Sequence, residues 1–145
     1  MQCYGLSDPN IVDAMIVLHA ASKHVAGLVD KTQAGGPADR IQLPRLTTVG
    51  IEMLITSAPT GAIDHEKVMI RDRSSVWFGS YNFSVSAQKQ RNYAYVTDDP
   101  EIVALFLADW QTSHDWAVAH PQVALTGAAR MMALAAIAND AEEDV

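Results

Sequence analysis

The reading turns on Asp64-His65-Glu66-Lys67-Val68-Met69-Ile70-Arg71-Asp72, followed by Gly79-Ser80-Tyr81-Asn82-Phe83-Ser84. Residues 63–70 and 75–83 have the composition of two strands joined by a turn at 71–74, and side chains two apart on a strand share a face. His65 and Lys67 then point one way, while Glu66, Val68 and Ile70 point the other. The same parity places Ser80, Asn82 and Ser84 on one face of the second strand. A two-residue turn through Arg73-Ser74, or a symmetric four-residue loop, sets Lys67 opposite Ser80 and His65 opposite Asn82. An imidazole, an ammonium, a hydroxyl and an amide converge in that register.

Such a set suits a phosphoryl group. Lys67 supplies a compact positive charge, Ser80 and Asn82 supply neutral donors for non-bridging oxygens, and His65 serves as nucleophile or proton carrier near neutral pH. Asp64 and Glu66 face away from His65 by parity, so there is no cluster of carboxylates to hold magnesium, and the chemistry is expected to need neither metal nor cofactor. Asp72 falls at the mouth of the turn. Aspartate readily bonds turn amides, which gives it the part of holding the hairpin without touching substrate.

Outward from this centre, Ser7-Asp8-Pro9 is a cap-and-proline start for a helix whose apolar row is Ile11, Met15, Leu18 and Ala21 or Ser22. Residues 24–30 and 51–56 read as short strands. Residues 33–44, with Gly35-Gly36-Pro37 and a second proline, read as an irregular connection. Asp98-Asp99-Pro100-Glu101 repeats the cap signal ahead of a helix through Trp110. After Pro121 an alanine-rich helix to about residue 139 leads into a frayed acidic tail at 140–144. The expected class is α/β, a sheet flanked by helices. The domain is expected over residues 1–120, with the helix and tail at 121–145.

The 145 residues are 49% hydrophobic and 19% charged, with a formal charge of −7 and one cysteine, Cys3. That composition fits one folded domain and excludes an internal disulfide or a multi-cysteine zinc site. The apolar run at 131–138 is well short of the ~20 residues that span a bilayer, so no integral membrane association is expected. The first residues do not read as a secretory signal, which leaves a cytoplasmic location as the default and the compartment otherwise unknown. The acidic balance gives no global attraction for nucleic acid, so a polyanion must be held by a local cluster.

His65, Lys67 and Asp72 in the spacing H-x-K-x-x-x-x-D, followed by Gly79, Ser80, Asn82 and Ser84, resemble the signature of the phospholipase D superfamily. The likeness is to its small bacterial, endonuclease-like members with one motif per chain. Tyr4-Gly5-Leu6-Ser7-Asp8-Pro9 is similar to the family's strand end and helix start, and the likeness covers about residues 2–116. It implies a phospholipase D-like sheet, of which this chain is expected to lack part of the usual first strand and the helix before it. It also implies two-step phosphodiester transfer: one histidine attacks phosphorus to give a phosphohistidine, and a second protonates the leaving oxygen and then activates water. Lys67, Ser80 and Asn82 correspond to the groups that clamp the phosphate. With one motif per chain the second histidine must come from another copy, which implies a two-fold homodimer. Where such relatives often carry an acidic residue, Asn92 stands here.

The other histidines, His19, His24, His114 and His120, read as structural or solvated. Trp77, Phe78 and Tyr81 read as core or dimer contacts, and Trp110 and Trp116 as helix-packing residues. Arg71, Arg73, Lys89 and Arg91 read as a solvated face. The expected activity is metal-independent cleavage of DNA or RNA. Phospholipid hydrolysis is the weaker alternative, since no basic amphipathic helix is evident. A third reading is a degenerate phosphate-binding or assembly module.

Overall fold

The computed structural model describes residues 1–143. In chain order its elements are β1 (Gln2–Cys3), α1 (Pro9–Ala20), β2 (Ala26–Asp30), α2 (Lys31–Ala34), α3 (Asp39–Thr48), β3 (Glu52–Thr56), β4 (Lys67–Arg71), β5 (Ser75–Gly79), a 3-10 turn at Val85–Lys89, β6 (Ala94–Thr97), α4 (Pro100–Ala119) and α5 (Gly127–Glu143). The strands form one sheet in the order β3-β2-β1-β4-β5-β6. β1, β2 and β3 run parallel, while β4 is antiparallel to β1 and continues into an antiparallel β4-β5-β6 meander.

Sequence chemistry explains the helix starts. Asp8 caps α1 by accepting the Asn10 N–H, and Asp99 caps α4 by accepting from Glu101 and Ile102; in both cases proline occupies the first helical position. The two faces of the sheet carry separate cores. On one side Cys3, Leu6, Val12, Met15, Val29, Leu46, Ile51 and Phe83 are buried, with Met69 and Trp77 packed against them. On the other, Val68 and Val76 meet Val103 of α4, joined by Phe78, Phe106 and Leu107. β1 is only two residues long, yet both are buried because it lies at the sheet centre between β2 and β4.

Five expectations are corrected. Residues 33–44 are not an irregular connection: α2 precedes the Gly35-Gly36-Pro37 break and α3 follows it, with Pro44 accommodated inside α3 on its exposed side. The buried side of α1 is Val12 and Met15, whereas Leu18 is 50% exposed. β6 was not foreseen, although Tyr93-Ala94-Tyr95-Val96-Thr97 is rich in strand-forming residues. The acidic tail is helical as far as Glu143, and Asp144 lies outside the described residues.

The fifth correction concerns the hairpin. Arg71 pairs with Ser75 and Val68 with Phe78, so the loop holds three residues and the register is offset by one from the symmetric arrangement. The cause is local. Asp72 and Arg73 both adopt left-handed conformations (φ 52° and 56°), and the Ser74 N–H donates to the Arg71 carbonyl at 3.0 Å. Aspartate tolerates that region better than most residues. Asp72 therefore shapes the turn through its backbone, and among the described residues its side chain bonds no turn amide.

Gly79 ends β5 where β6 crosses closest. A Cβ there would lie 2.3 Å from the Tyr93 carbonyl oxygen and 2.8 Å from the Ala94 Cα, so backbone on backbone leaves no room for one. Gly79→Ala is expected to destabilise the fold by about 1–3 kcal/mol, read as a lower urea midpoint at unchanged slope. A midpoint equal to wild type would show that β6 can yield.

Candidate active site

The offset register changes how the signature residues meet. Residues 63–66 precede β4 as irregular backbone, and Ser80 and Asn82 follow β5 in a loop, so parity along two long strands does not bring them together. The organiser is instead the segment after β1. The Tyr4 N–H donates to the Glu66 carbonyl at 2.8 Å, beside the first half of the signature. Leu6 then bridges to Phe83, and the Ser7 and Asp8 N–H groups both donate to the Phe83 carbonyl at 2.9 Å, beside the second half. Phe83 is 1% exposed, which fixes this junction in the core.

The Tyr4 ring meets the His65 ring edge-on, with centroids 4.6 Å apart. The Lys67 ammonium lies 5.4 Å from the Tyr4 ring centroid and donates to the His65 carbonyl at 2.5 Å. Lys67 itself is buried, and burial pulls its pKa below the usual lysine value, although the nearby Glu66 and Asp64 carboxyls work to restore it. His65 is drawn below its ordinary value by burial first and by the Lys67 charge second, with Asp30 opposing. Near neutral pH its imidazole is therefore the neutral, nucleophilic form.

Behind this pair stands a buried support. Asp30, wholly buried at the end of β2, accepts the Asp64 N–H on one oxygen (2.7 Å) and the Thr32 N–H and hydroxyl on the other (2.8 and 2.5 Å). Gln2 donates its amide to Asp64 at 2.9 Å. The loop that carries His65 is thus pinned on both sides of Asp64. Burial raises the pKa values of Asp64 and Glu66 above the ordinary carboxylate range.

Asn82 lies across a cleft of about 280 Å³ that Tyr4 also lines. Its amide oxygen is buried without a hydrogen-bond partner among the described residues. That oxygen can only accept, so the end of the amide able to meet a phosphate oxygen is its NH2 group. Ser80 is placed differently. Its hydroxyl donates to Asn92 at 3.1 Å and accepts the Tyr93 N–H at 3.1 Å, while the Asn92 amide donates to Ala87 at 3.0 Å. Asn92 thus engages the serine and not the histidine. Ser84 caps the 3-10 turn, accepting the Ala87 N–H, and shares a hydrogen bond with Ser86.

Among the expected site residues, then, His65 and Lys67 are gathered against Tyr4, Asn82 lines the cleft that Tyr4 also lines, and Ser80 is tied to the segment leading into β6. Tyr4, Asp30 and Gln33 were not singled out from the sequence as site residues. Tyr4 had one available signal, its place at the end of the first strand, but contact between a tyrosine and residues 61 and 63 positions away has no local pattern.

Known proteins share this chain's sequence pattern and fold. Residues 1–116 match the family described as "Cardiolipin synthase, PLD-like domain". The chain is 31% identical over 111 residues to phospholipase D of Rickettsia conorii and 32% identical to that of Rickettsia bellii, covering 76% of this chain. It spans about half the length of these relatives, 54% and 53%. Its fold is similar to that of Nuc from Salmonella typhimurium, a phospholipase D family member, with TM-score 0.73 and 25% identity over 80% of this chain and 76% of that one. NucT from Helicobacter pylori is similar in fold at TM-score 0.65 and 18% identity, over 79% and 77% of the two chains. The fold, the family match and the relatives agree: the chain belongs to the phospholipase D superfamily of phosphodiesterases.

Proposed function

We propose that this chain hydrolyses phosphodiesters through a covalent intermediate on His65, acts as a two-fold homodimer, and takes nucleic acid as its substrate. The observation that carries the reading is the His65 imidazole held against Tyr4 with the buried Lys67 ammonium beside it, a setting that favours its neutral form. A neutral imidazole is the nucleophile that phosphorus attack requires, and an ammonium in a desolvated setting stabilises the charge that develops on the phosphoryl oxygens.

His65 attacks phosphorus, a nitrogen–phosphorus bond forms, and the bond to the leaving oxygen breaks. That oxygen takes a proton from the partner subunit's His65, which enters the step as the imidazolium while the attacking copy is neutral. Water then attacks the phosphohistidine, the partner's His65 accepts the proton, the nitrogen–phosphorus bond breaks, and both histidines return to their starting states. Lys67 and the Asn82 amide hold the non-bridging oxygens. Ser80, with its hydroxyl engaged by Asn92, holds the Asn82 loop against β6. The need for a second histidine supports the dimer, since this chain has one copy of the signature. Among the described residues no three His, Cys, Asp or Glu side chains gather as a metal site would need.

A second reading, phospholipid hydrolysis, is favoured by the name of the relatives, phospholipase D. Release of a soluble headgroup from vesicles, without cleavage of oligonucleotides, would replace the nuclease reading with that one.

Pure protein is expected to cleave single-stranded DNA in excess chelator and to run as a dimer, and His65→Ala is expected to lower kcat by about 10³-fold or more. Chelator-sensitive turnover, or activity surviving the substitution, would contradict this reading. Protonating His65 removes its nucleophilic lone pair, so activity should fall with decreasing pH only below the ordinary histidine value of 6.5. An acid limb above that value would count against His65 as the attacking base. Lys67→Met removes a buried charge, so it should lower kcat by about 10²-fold or more while stabilising the fold by about 0.5–2 kcal/mol. A destabilised Lys67→Met protein would show that the ammonium is there for the fold.

A further inference from the structure

The cleft that holds Tyr4 and Asn82 has a far end built by α5, which lies beyond residues 1–116 of the family match. The chain leading into α5 is seated firmly. The Leu125 N–H donates to the Lys31 carbonyl at 2.9 Å, and a Cβ on Gly35 would stand 1.6 Å from the Leu125 carbonyl oxygen, so this close approach depends on glycine. From there Arg130 reaches back into the cleft. Its Nε donates to the Thr32 carbonyl at 2.6 Å and one terminal nitrogen lies 3.4 Å from the Gln33 amide oxygen. Gln33 in turn donates to the Tyr4 hydroxyl at 2.7 Å, and the Tyr4 ring touches His65. Hydrogen bonds from Arg130 through Gln33 to Tyr4, and the ring contact of Tyr4 with His65, therefore connect the guanidinium to the reacting histidine.

Arg130 makes no ion pair among the described residues, although the cleft wall includes a carboxyl. That carboxyl, Asp39, is buried and spends one oxygen on the Leu6 N–H; burial raises its pKa, with that hydrogen bond and the charge of Arg130 opposing, and no direct hydrogen bond joins the two side chains. The guanidinium thus keeps hydrogen-bond donors beyond those used on Thr32 and Gln33, in a cleft otherwise lined by small polar groups such as Ser84 and Ser86. An arginine held by neutral acceptors, with donors to spare, is suited to a phosphate. We propose that Arg130 forms a second phosphate position in this cleft, which takes a phosphate next to the scissile one and so selects a nucleic-acid strand over a diester with a single phosphorus.

The inference rests on the phosphodiesterase reading above, and two measurements separate their failures. The first is the ratio of kcat/KM on a single-stranded oligodeoxynucleotide to that on bis(4-nitrophenyl) phosphate. Arg130→Ala is expected to lower this ratio about tenfold, chiefly through KM for the oligonucleotide, and Arg130→Lys to restore most of it. The second is binding of the labelled oligonucleotide to His65→Ala protein with and without Arg130→Ala, as a function of salt. Here the slope of log affinity against log salt should become shallower by about one when Arg130 is absent. A protein that cleaves neither substrate would defeat the phosphodiesterase reading, and the binding measurement would still decide the role of Arg130. Equal salt slopes, or both substrates losing activity in parallel at an unchanged ratio, would overturn the second phosphate position.

Discussion

A buried ammonium at the head of a central strand is the constraint from which the rest follows. Lys67 is taken out of water at the start of β4, and the nearby groups give it a carbonyl, an aromatic face and the charge of two nearby carboxyls in exchange. Left unanswered, a buried charge would be costly enough to unfold a marginal domain. Each answering group is therefore held in turn: Tyr4 by the Glu66 carbonyl, Asp64 by Gln2 and by Asp30, and Asp30 by the start of α2. The holding of the charge and the position of the histidine are one arrangement, because the carbonyl that accepts from Lys67 belongs to His65.

Sheet order makes that arrangement possible. β1 lies between β2 and β4 and leads directly into the Tyr4 segment, which touches the loop before β4 and the loop after β5. Two stretches of sequence some fifteen residues apart thus meet on a third from the N-terminal end. Phe83, buried beneath Leu6, keeps the second stretch from lifting away. Gly79 lets β6 close over the end of β5, and Asn92, next to β6, holds Ser80.

Much of this was legible from residue types. The cap-and-proline starts of α1 and α4, the strands β2 and β3 and the existence of the β4–β5 hairpin follow from local chemistry, and the signature pointed to the family that the comparisons show. What failed were arguments of parity and punctuation. Two consecutive left-handed residues, Asp72 and Arg73, add one residue to the loop, and one residue is enough to undo a face-by-face pairing. Pro44 read as a helix breaker, but it sits within α3, where the burial of Leu46 and the anchoring of Asp39 on the Leu6 N–H outweigh its local preference. Tyr4, Asp30 and Gln33 belong to the site through contacts at long sequence separation, for which a single sequence holds no periodic signal.

The central claim is that His65 becomes covalently bonded to phosphorus during turnover. Rapid acid-free quenching of the wild-type protein with a labelled oligonucleotide, followed by mass spectrometry of the peptide containing residue 65, tests it most directly. The account predicts a nucleotidyl phosphoramidate adduct on His65 that is lost on mild acid treatment and is absent from His65→Ala. Steady turnover with no adduct, or an adduct on any other residue, would contradict it.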